Sequence, residues 1–189
     1  MRAVAEHYKV SLDAVVYVLR KTSVPRRTFA EANRLKFETR PPSFTIRPYR
    51  DKQLEIMGAM LYWAEGYRSK KAKGVDFANS DPYMVEVFAQ FLRSRYLLDE
   101  KRFRAFIYCY ADQDIPALTE FWSEKLSLPK IQFTKPYVRT DYRGVRKMPY
   151  GLIHIRYSDK KLLQDILDLI ESYRSHRRVG GRVVNYTTL

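Results

Sequence analysis

I-M-G-A-M-L-Y-W-A-E-G, at residues 56–66, is an apolar run that ends in a carboxylate and a glycine. At 3.6 residues per turn it forms two neighbouring stripes, one of Leu54, Met57, Leu61 and Ala64 and one of Gly58, Tyr62 and Glu65. The small residues Gly58 and Ala59 allow a second backbone to approach, so the pattern predicts a helix that packs against another helix. Gly66 suits the left-handed position that ends a helix, which places Glu65 in the last turn.

Glu65 lies at the unfavourable end of this predicted helix. The macrodipole leaves partial negative charge at a helix C-terminus, so a carboxylate there costs about 0.3–1 kcal/mol unless a cation is near. Two interpretations follow. Glu65 is either a solvated glutamate at a helix end or a ligand for a hard metal ion, since magnesium takes carboxylate oxygens.

G-A-M-L-Y-W-A-E-G, at residues 58–66, resembles the LAGLIDADG motif of homing endonucleases and related DNA-binding proteins. Two later segments support the resemblance: F-A-N-S-D-P at 77–82, before an amphipathic helix, and Y-G-L-I-H-I-R at 150–156, before the last helix. The resemblance covers roughly residues 52–173. Glu65 takes the place of the family's metal-binding acid. Met60 departs from the pattern, because the family usually has a small residue there.

The resemblance implies an α+β fold, with an antiparallel saddle-shaped sheet that lies on the major groove of double-stranded DNA and helices on one face. It also implies a site-specific endonuclease that hydrolyses phosphodiesters with Mg²⁺. Glu65 and the backbone of Gly66 would hold the metal, and Lys71 and Lys135 would neutralise charge on the phosphate.

The chain carries one copy of the apolar helix that ends in E-G. In the LAGLIDADG family, single-motif chains pair through this helix, which brings two acids to two scissile phosphates. The resemblance therefore implies a homodimer joined through Gly58, Ala59 and Tyr62. Two alternatives remain open: a DNA-binding transcriptional regulator that has lost catalysis, and a protein that assists RNA splicing.

Net charge favours a polyanionic partner. The chain has 35 Lys and Arg and 21 Asp and Glu, which gives a net charge of +14. The usual partner of such a charge is nucleic acid, and an acidic membrane surface is the alternative. No run approaches the ~18 apolar residues of a membrane span, and the N-terminus does not resemble a signal peptide. The single Cys109 excludes an internal disulfide, and three scattered histidines make no zinc pattern. An intracellular, nucleoid-associated protein without a membrane segment is expected.

The sequence pattern of residues 1–38 predicts a small helical module. V-S-L-D-A-V-V-Y-V-L, at 10–19, resembles the second half of a helix-turn-helix, with Ser11 as its N-cap. The residues that would then read bases are Asp13, Ala14, Tyr17 and Arg20, and those that would hold phosphates are Arg26 and Arg27. A plain helical hairpin with its charged side in water is the alternative. A third helix over 28–37 is expected to close the module's core.

Residues 39–51 hold three prolines among basic side chains and predict an extended connector. It would lie along a phosphate backbone through Arg40, Arg47 and Arg50, or serve as an ordinary tether. The core, residues 52–174, is predicted in the order α-β-β-α-β-α-β-β-α, with a hairpin over 67–72 and 75–79 and strands over 102–110, 131–139 and 150–157. Residues 175–189 are predicted to form a basic tail.

Strict alternation at residues 102–110 predicts a strand with one core face and one basic, aromatic face. Phe103, Ala105, Ile107 and Cys109 point to the core, and Arg102, Arg104, Phe106, Tyr108 and Tyr110 point the other way. The nucleic-acid contacts expected on such a sheet are Arg68, Lys70, Arg102, Arg104, Lys135, Arg139, His154 and Arg156. Each has a solvated or salt-bridged surface residue as its alternative, and a basic sheet face also suits RNA.

Overall fold

The computed structural model describes residues 1–48, 51–140 and 148–175. The chain divides into two compact units, Met1–Pro41 and Pro42–Leu189. The described residues form seven helices, a four-stranded sheet and a two-stranded sheet, which confirms the α+β class. No helix in these ranges is long and apolar enough to cross a membrane.

The first unit consists of α1 (Arg2–His7), α2 (Leu12–Lys21) and α3 (Phe29–Thr39). Ser11 caps α2 as predicted, because its side chain accepts a 3.1 Å hydrogen bond from the backbone nitrogen of Ala14. Ala5 and Val15 are the buried residues of this unit. The third helix forms but buries no residue, and Phe29 is 84% exposed. The expectation that it closes a small core is therefore wrong.

The second unit contains the remaining elements. Its helices are α4 (Lys52–Glu65), α5 (Pro82–Arg95), α6 (Ile115–Leu126) and α7 (Lys160–Ser175). Its strands are β1 (Phe44–Ile46), β2 (Val75–Asn79), β3 (Tyr96–Leu98), β4 (Phe103–Tyr110), β5 (Tyr137–Arg139) and β6 (Leu152–Tyr157). Strands β1 and β3 pair with each other, and the larger sheet has the order β2-β6-β4-β5.

The larger sheet is mixed. Strand β6 pairs antiparallel with both β2 and β4, whereas β5 pairs parallel with β4. The chain leaves β4, passes through α6 and returns in the same direction, which is how a helix connects parallel neighbours. The expectation of a wholly antiparallel sheet is therefore wrong at this edge.

The expected connector contains β1. Its pairing with β3 sets Phe44 opposite Leu98, and the residue before it, Ser43, donates from its nitrogen to Asp159 over 2.8 Å. The Tyr157 hydroxyl also donates to the carbonyl of Ser43, over 3.1 Å. Residues 43–46 are thus bound within the second unit and are not a free tether.

One predicted strand does not form, and another forms over only part of its length. Residues 67–72 form no strand, because a turn uses their backbone: Ala72 donates to the Ser69 carbonyl, and Lys71 donates to the Ser69 hydroxyl. The strand expected over 131–139 is confined to β5. Its first part is a 3₁₀ turn, Lys130–Gln132, in which the Gln132 amide donates to the carbonyl of Phe103 over 2.9 Å.

Helix α4 packs against α5, as its small residues predict. A Cβ on Gly58 would overlap the ring of Phe91, so the Phe91 side chain of α5 packs directly on the backbone of α4. Glu65 is the last residue of α4, but Gly66 is extended at φ −75° and not left-handed. Gly66 is instead required for space, because a Cβ there would overlap the Tyr62 carbonyl.

A buried ionic network joins α4, α5 and α7. Glu55 accepts hydrogen bonds from Lys52 and from the Tyr173 hydroxyl, each 2.8 Å long, and pairs with Arg95. Arg95 also reaches Asp165 on α7, over 3.2 Å. Burial raises the pKa of Glu55, but the hydrogen bonds from Lys52 and Tyr173 and the charge of Arg95 outweigh it and lower that pKa to about 2. The network therefore depends on an ionised carboxylate.

Candidate nucleic-acid interface

The larger sheet has one face in the core and one open face. On β4, Phe103, Ala105, Ile107 and Cys109 are buried, which confirms the predicted alternation. They form one core with the buried side chains of α4, α5, α6 and α7, so these helices lie on a single face of the sheet. The residues of the other face, here called the open face, are Asp76, Ala78, Arg104, Phe106, Tyr108, Tyr110, Tyr137, Arg139, Leu152, His154 and Arg156.

Strand register arranges the open face in rows. Arg104 lies opposite Arg156, and the next row pairs Phe106 with His154. Tyr108 lies opposite Tyr137 in the row after that, and Tyr110 opposite Arg139 in the last. Cations therefore stand at both ends of β4, with aromatic rings between them. At about 3.3 Å per residue, residues 104 and 110 are about 20 Å apart along the strand.

Asp76 is the carboxylate of this face, and it binds two of the predicted contact residues. Its Oδ1 lies 2.8 Å from His154 Nδ1, and its Oδ2 accepts from Arg156 Nε over 2.8 Å. Burial raises the pKa of Asp76, but His154 and Arg156 outweigh it and hold that pKa below its ordinary value. Asp76 thereby neutralises part of the positive charge that Arg104 and Arg156 place side by side.

Four rings are in mutual contact at the centre of the open face. The Tyr108 ring centroid lies 4.8 Å from that of Tyr137 and 5.5 Å from that of His154. Phe106 contacts both Tyr108, at 5.1 Å, and His154, at 5.8 Å. The Arg156 guanidinium covers the Phe106 ring at 5.1 Å. Tyr137 is 52% exposed, so the cluster has an accessible aromatic surface.

Several predicted contact residues lie elsewhere. Arg102 belongs to a 3₁₀ turn before β4, donates to the Ser158 carbonyl and lies over the Tyr157 ring, whose side chain is in the core. Arg47 donates to the Arg93 carbonyl at the end of α5 over 3.0 Å. Neither of these two arginines is part of the open face. Arg104, which is part of it, also donates from Nη1 to the backbone carbonyls of Lys101, over 2.7 Å, and Phe103, over 2.6 Å. Arg50 lies outside the described residues.

The remaining basic candidates of the second unit are exposed outside the four strands. Arg68, Lys70 and Lys71 are in the segment after α4, and Lys135 precedes β5. Lys135 lies beside β5, at one edge of the sheet, and the structure does not bring it together with Lys71. The segment after α4 runs along the other edge, at β2, because the Tyr67 nitrogen donates to the Asp76 carbonyl over 2.9 Å.

Glu65 is exposed where α4 meets this edge. The described residues contain no group of three or more His, Cys, Asp or Glu side chains placed to hold a metal. Glu65 supplies one carboxylate, an oxygen ligand of the kind that magnesium takes. That ion commonly takes one or two protein carboxylates and fills its remaining positions with water and substrate phosphate.

In the first unit, α2 presents the residues predicted to read bases. Asp13, Ala14, Tyr17 and Arg20 are all exposed, as are Arg26, Arg27 and Arg40. Val15, on the opposite side of α2, is buried. The helix therefore offers one continuous solvent-facing side.

The predicted dimer contacts require correction. Ala59 and Tyr62 are fully buried and Gly58 packs on Phe91, so all three face the core of their own chain and offer no surface to a second copy. The opposite side of α4 is apolar and accessible. We call it the outer stripe, and it consists of the exposed Ile56, Met57, Trp63 and Ala64 and the half-buried Met60, which also packs against the core.

The sequence prediction omitted Asp76 and Tyr137 from the site. Alternation in β2 places Asp76 on the face of the sheet away from the buried Val75 and Phe77, and this pattern could have identified Asp76 from the sequence. The position of Tyr137 follows from the parallel pairing of β5 with β4, for which the sequence carries no local signal.

Comparison with known proteins returned nothing: no family model, curated protein or solved structure matches this chain. The fold and the site define an α+β protein whose mixed sheet carries helices on one face and a basic, aromatic surface on the other.

Proposed function

We propose that this protein binds double-stranded DNA at specific sites through the open face of its sheet. The observation that carries the proposal is the composition of that face, where arginines stand at both ends of a cluster of rings and helices cover only the opposite side. A net charge of +14 adds a long-range attraction for a phosphate backbone.

Within this proposal, arginines and rings have different tasks. Arg104 and Arg156 face each other across two strands, and like charges in that position repel. A phosphate between them relieves this repulsion, which makes them positioning contacts. His154 then reads base edges and the rings contact thymine methyl groups, which supplies the sequence dependence.

The protein acts as a homodimer in this account, joined through the outer stripe of α4. Five apolar or small side chains cluster there, and Met57 is 51% exposed. An exposed apolar helix face of this kind is stabilised when a second apolar surface covers it. Two-fold pairing presents two open faces to one DNA and matches a target with two half-sites.

The reaction we assign to the dimer is hydrolysis of a DNA phosphodiester. Mg²⁺, when bound, stabilises charge on the transferring phosphate and lowers the pKa of an attacking water. Glu65 of each copy would hold the ion through its carboxylate, with Gly66 as the second residue assigned to the metal. Lys71, in the segment after α4, adds positive charge near the phosphate, whereas Lys135 lies beside β5 at the opposite edge of the sheet and has no part in this site.

A non-catalytic DNA-binding regulator is the second candidate. The observation that favours it is the exposed side of α2, where Tyr17 and Arg20 are accessible as the reading residues of a helix-turn-helix would be. Binding through two surfaces on one chain serves regulation without any cleavage.

Selection from a randomised duplex library, with and without Mg²⁺, tests the function and separates the two candidates. Sequencing both bound and cut molecules gives the target and the cleavage positions. An endonuclease yields an enriched motif with discrete Mg²⁺-dependent ends, which Glu65→Gln removes while affinity stays within about twofold. A regulator yields the motif without ends. Absence of any enriched motif contradicts both candidates.

A further inference from the structure

The ring cluster at the centre of the open face has no role in contacting the phosphates of DNA. Its members are Phe106, Tyr108, Tyr137 and His154, with centroid separations of 4.8–5.8 Å. We infer that this cluster stacks against unpaired bases, so that the preferred ligand is DNA that is locally single-stranded within a duplex. The inference rests on the proposed function and names the state of its substrate.

The chemistry of the cluster is the first argument. In an intact duplex the faces of the bases are covered by their neighbours, and only their edges are accessible in the grooves. Edges are read best by Arg, Lys, Asn or Gln, whereas Phe and Tyr rings offer little to them beyond contact with a thymine methyl group. Base faces, by contrast, stack well on aromatic side chains. The centre of this face therefore suits bases that have left the helix.

The geometry of the rings is the second argument. Tyr108 and Tyr137 lie on adjacent strands and their planes differ by 43°, while Tyr108 and His154 differ by 34°. These rings are not stacked in parallel, so they do not cover one another completely. Tyr137 in particular is exposed to solvent. Phe106 is covered by the Arg156 guanidinium, itself a planar group that stacks on bases. The surface available for stacking is therefore centred on Tyr108 and Tyr137.

The charge pattern identifies the occupant as a nucleic acid. Arg104 and Arg156 stand at one end of β4 and Arg139 at the other, about 20 Å apart, which is a path along which a single strand spans several phosphates. An apolar peptide would find no complement to these cations. DNA is the committed ligand because the same face binds duplex DNA in the proposed function.

The test measures the affinity of the full-length protein for four labelled oligonucleotides of one sequence by fluorescence anisotropy. These are a duplex, the same duplex with a central unpaired bubble, the single DNA strand and the matching RNA strand. A 2-aminopurine base in the bubble reports stacking directly, because its fluorescence is quenched when it stacks on a ring. The variants are Tyr108→Leu and Tyr137→Leu, with Tyr108→Trp as the conservative replacement. Tyr83→Leu is the matched control, because Tyr83 is 73% exposed on α5, away from the open face.

The inference predicts that bubble DNA binds at least about tenfold more tightly than the duplex and quenches 2-aminopurine. Each leucine variant loses that preference by about tenfold and changes duplex binding by less than about threefold, since one stacked base accounts for such a factor. Tyr108→Trp keeps the preference, and Tyr83→Leu matches the unmodified protein. The tryptophan variant also keeps the test valid if Tyr108→Leu does not fold.

Three results overturn the inference, and they are distinguishable. Equal affinity for duplex and bubble, with no effect of ring removal, contradicts base stacking but leaves the proposed function intact. A clear preference for RNA contradicts the assignment to DNA. Absence of binding to every oligonucleotide contradicts the proposed function itself.

Discussion

The ring of Phe91 on α5 packs directly on the backbone of Gly58, so that α4 contributes no side chain of its own at this contact. Alanine at a solvated helix position is favoured over glycine by about 1 kcal/mol. At position 58 glycine is favoured over alanine, because the added methyl group of alanine must displace a buried ring. We expect Gly58→Ala to lower the free energy of unfolding by about 1–3 kcal/mol, measured by urea denaturation.

Ala64 provides the matched control for this substitution. It lies on the same helix but is exposed, so Ala64→Gly should cost about 1 kcal/mol, as helix propensity alone dictates. An unchanged or raised stability of Gly58→Ala contradicts the close approach of α4 and α5.

Glu55 makes stability depend on pH in the acidic range. Its folded pKa of about 2 lies below the ordinary 4.5, so its stabilisation is complete above about pH 4.5 and is lost as pH falls toward 2. We expect Glu55→Gln to be less stable than the unmodified protein by about 3 kcal/mol at pH 7, which is the shift converted at 1.36 kcal/mol per unit. The difference should shrink below pH 4. Urea denaturation across pH 2.5–7 measures it.

Glu120→Gln is the control for the acidic range. Glu120 pairs with Lys130 on the surface, where both side chains are more than half exposed, so its removal should change stability by less than about 1 kcal/mol. A Glu55→Gln protein that keeps the unmodified pH profile would show that the buried network is not what acid disrupts.

Asp76 pairs with Arg156 and His154, and under the proposed function this pairing would restrain DNA binding. We expect Asp76→Asn to raise affinity for duplex DNA several-fold, since it removes a negative charge from the open face and releases Arg156 for one phosphate. The slope of log affinity against log salt should steepen by about 0.9. Asp168→Asn makes the same charge change on α7, at an exposed position among the helices, and should leave the slope unaltered.

The outer stripe of α4 carries the proposed dimer contact. Met57→Lys places a charge in the middle of that apolar surface, so we expect a shift from dimer to monomer in sedimentation velocity at micromolar concentration. Ile131→Lys is the control, because Ile131 is also an exposed apolar side chain but lies on the 3₁₀ turn before β5. A strictly monomeric unmodified protein, with and without DNA, contradicts the dimer.

Local patterns in the sequence predicted the features that depend on neighbouring residues. The two-residue alternation assigned Phe103 to the core and Arg104 to the opposite face, and the five buried positions of α7 follow its helical period. Asp81 and Asp114 cap α5 and α6, because an aspartate side chain at a helix start accepts hydrogen bonds from the first backbone amides.

The features that failed depend on residues far apart in the chain. Asp76 and His154 are 78 positions apart, and only the pairing of β2 with β6 brings them together. The predicted dimer residues failed for a related reason. Both sides of α4 are apolar, so the period marks a helix but does not say which side its own chain covers. Phe91, from a different helix, decides that question.

Duplex DNA binding by the double variant Arg104→Gln/Arg156→Gln tests the central claim most directly. Affinity is measured by anisotropy at several salt concentrations, beside Lys125→Gln/Lys130→Gln, which removes two positive charges from the helix side. We predict that the open-face variant loses at least about tenfold in affinity and about two units of salt slope, while the helix-side variant changes little. Equal losses in the two variants would contradict binding through the open face.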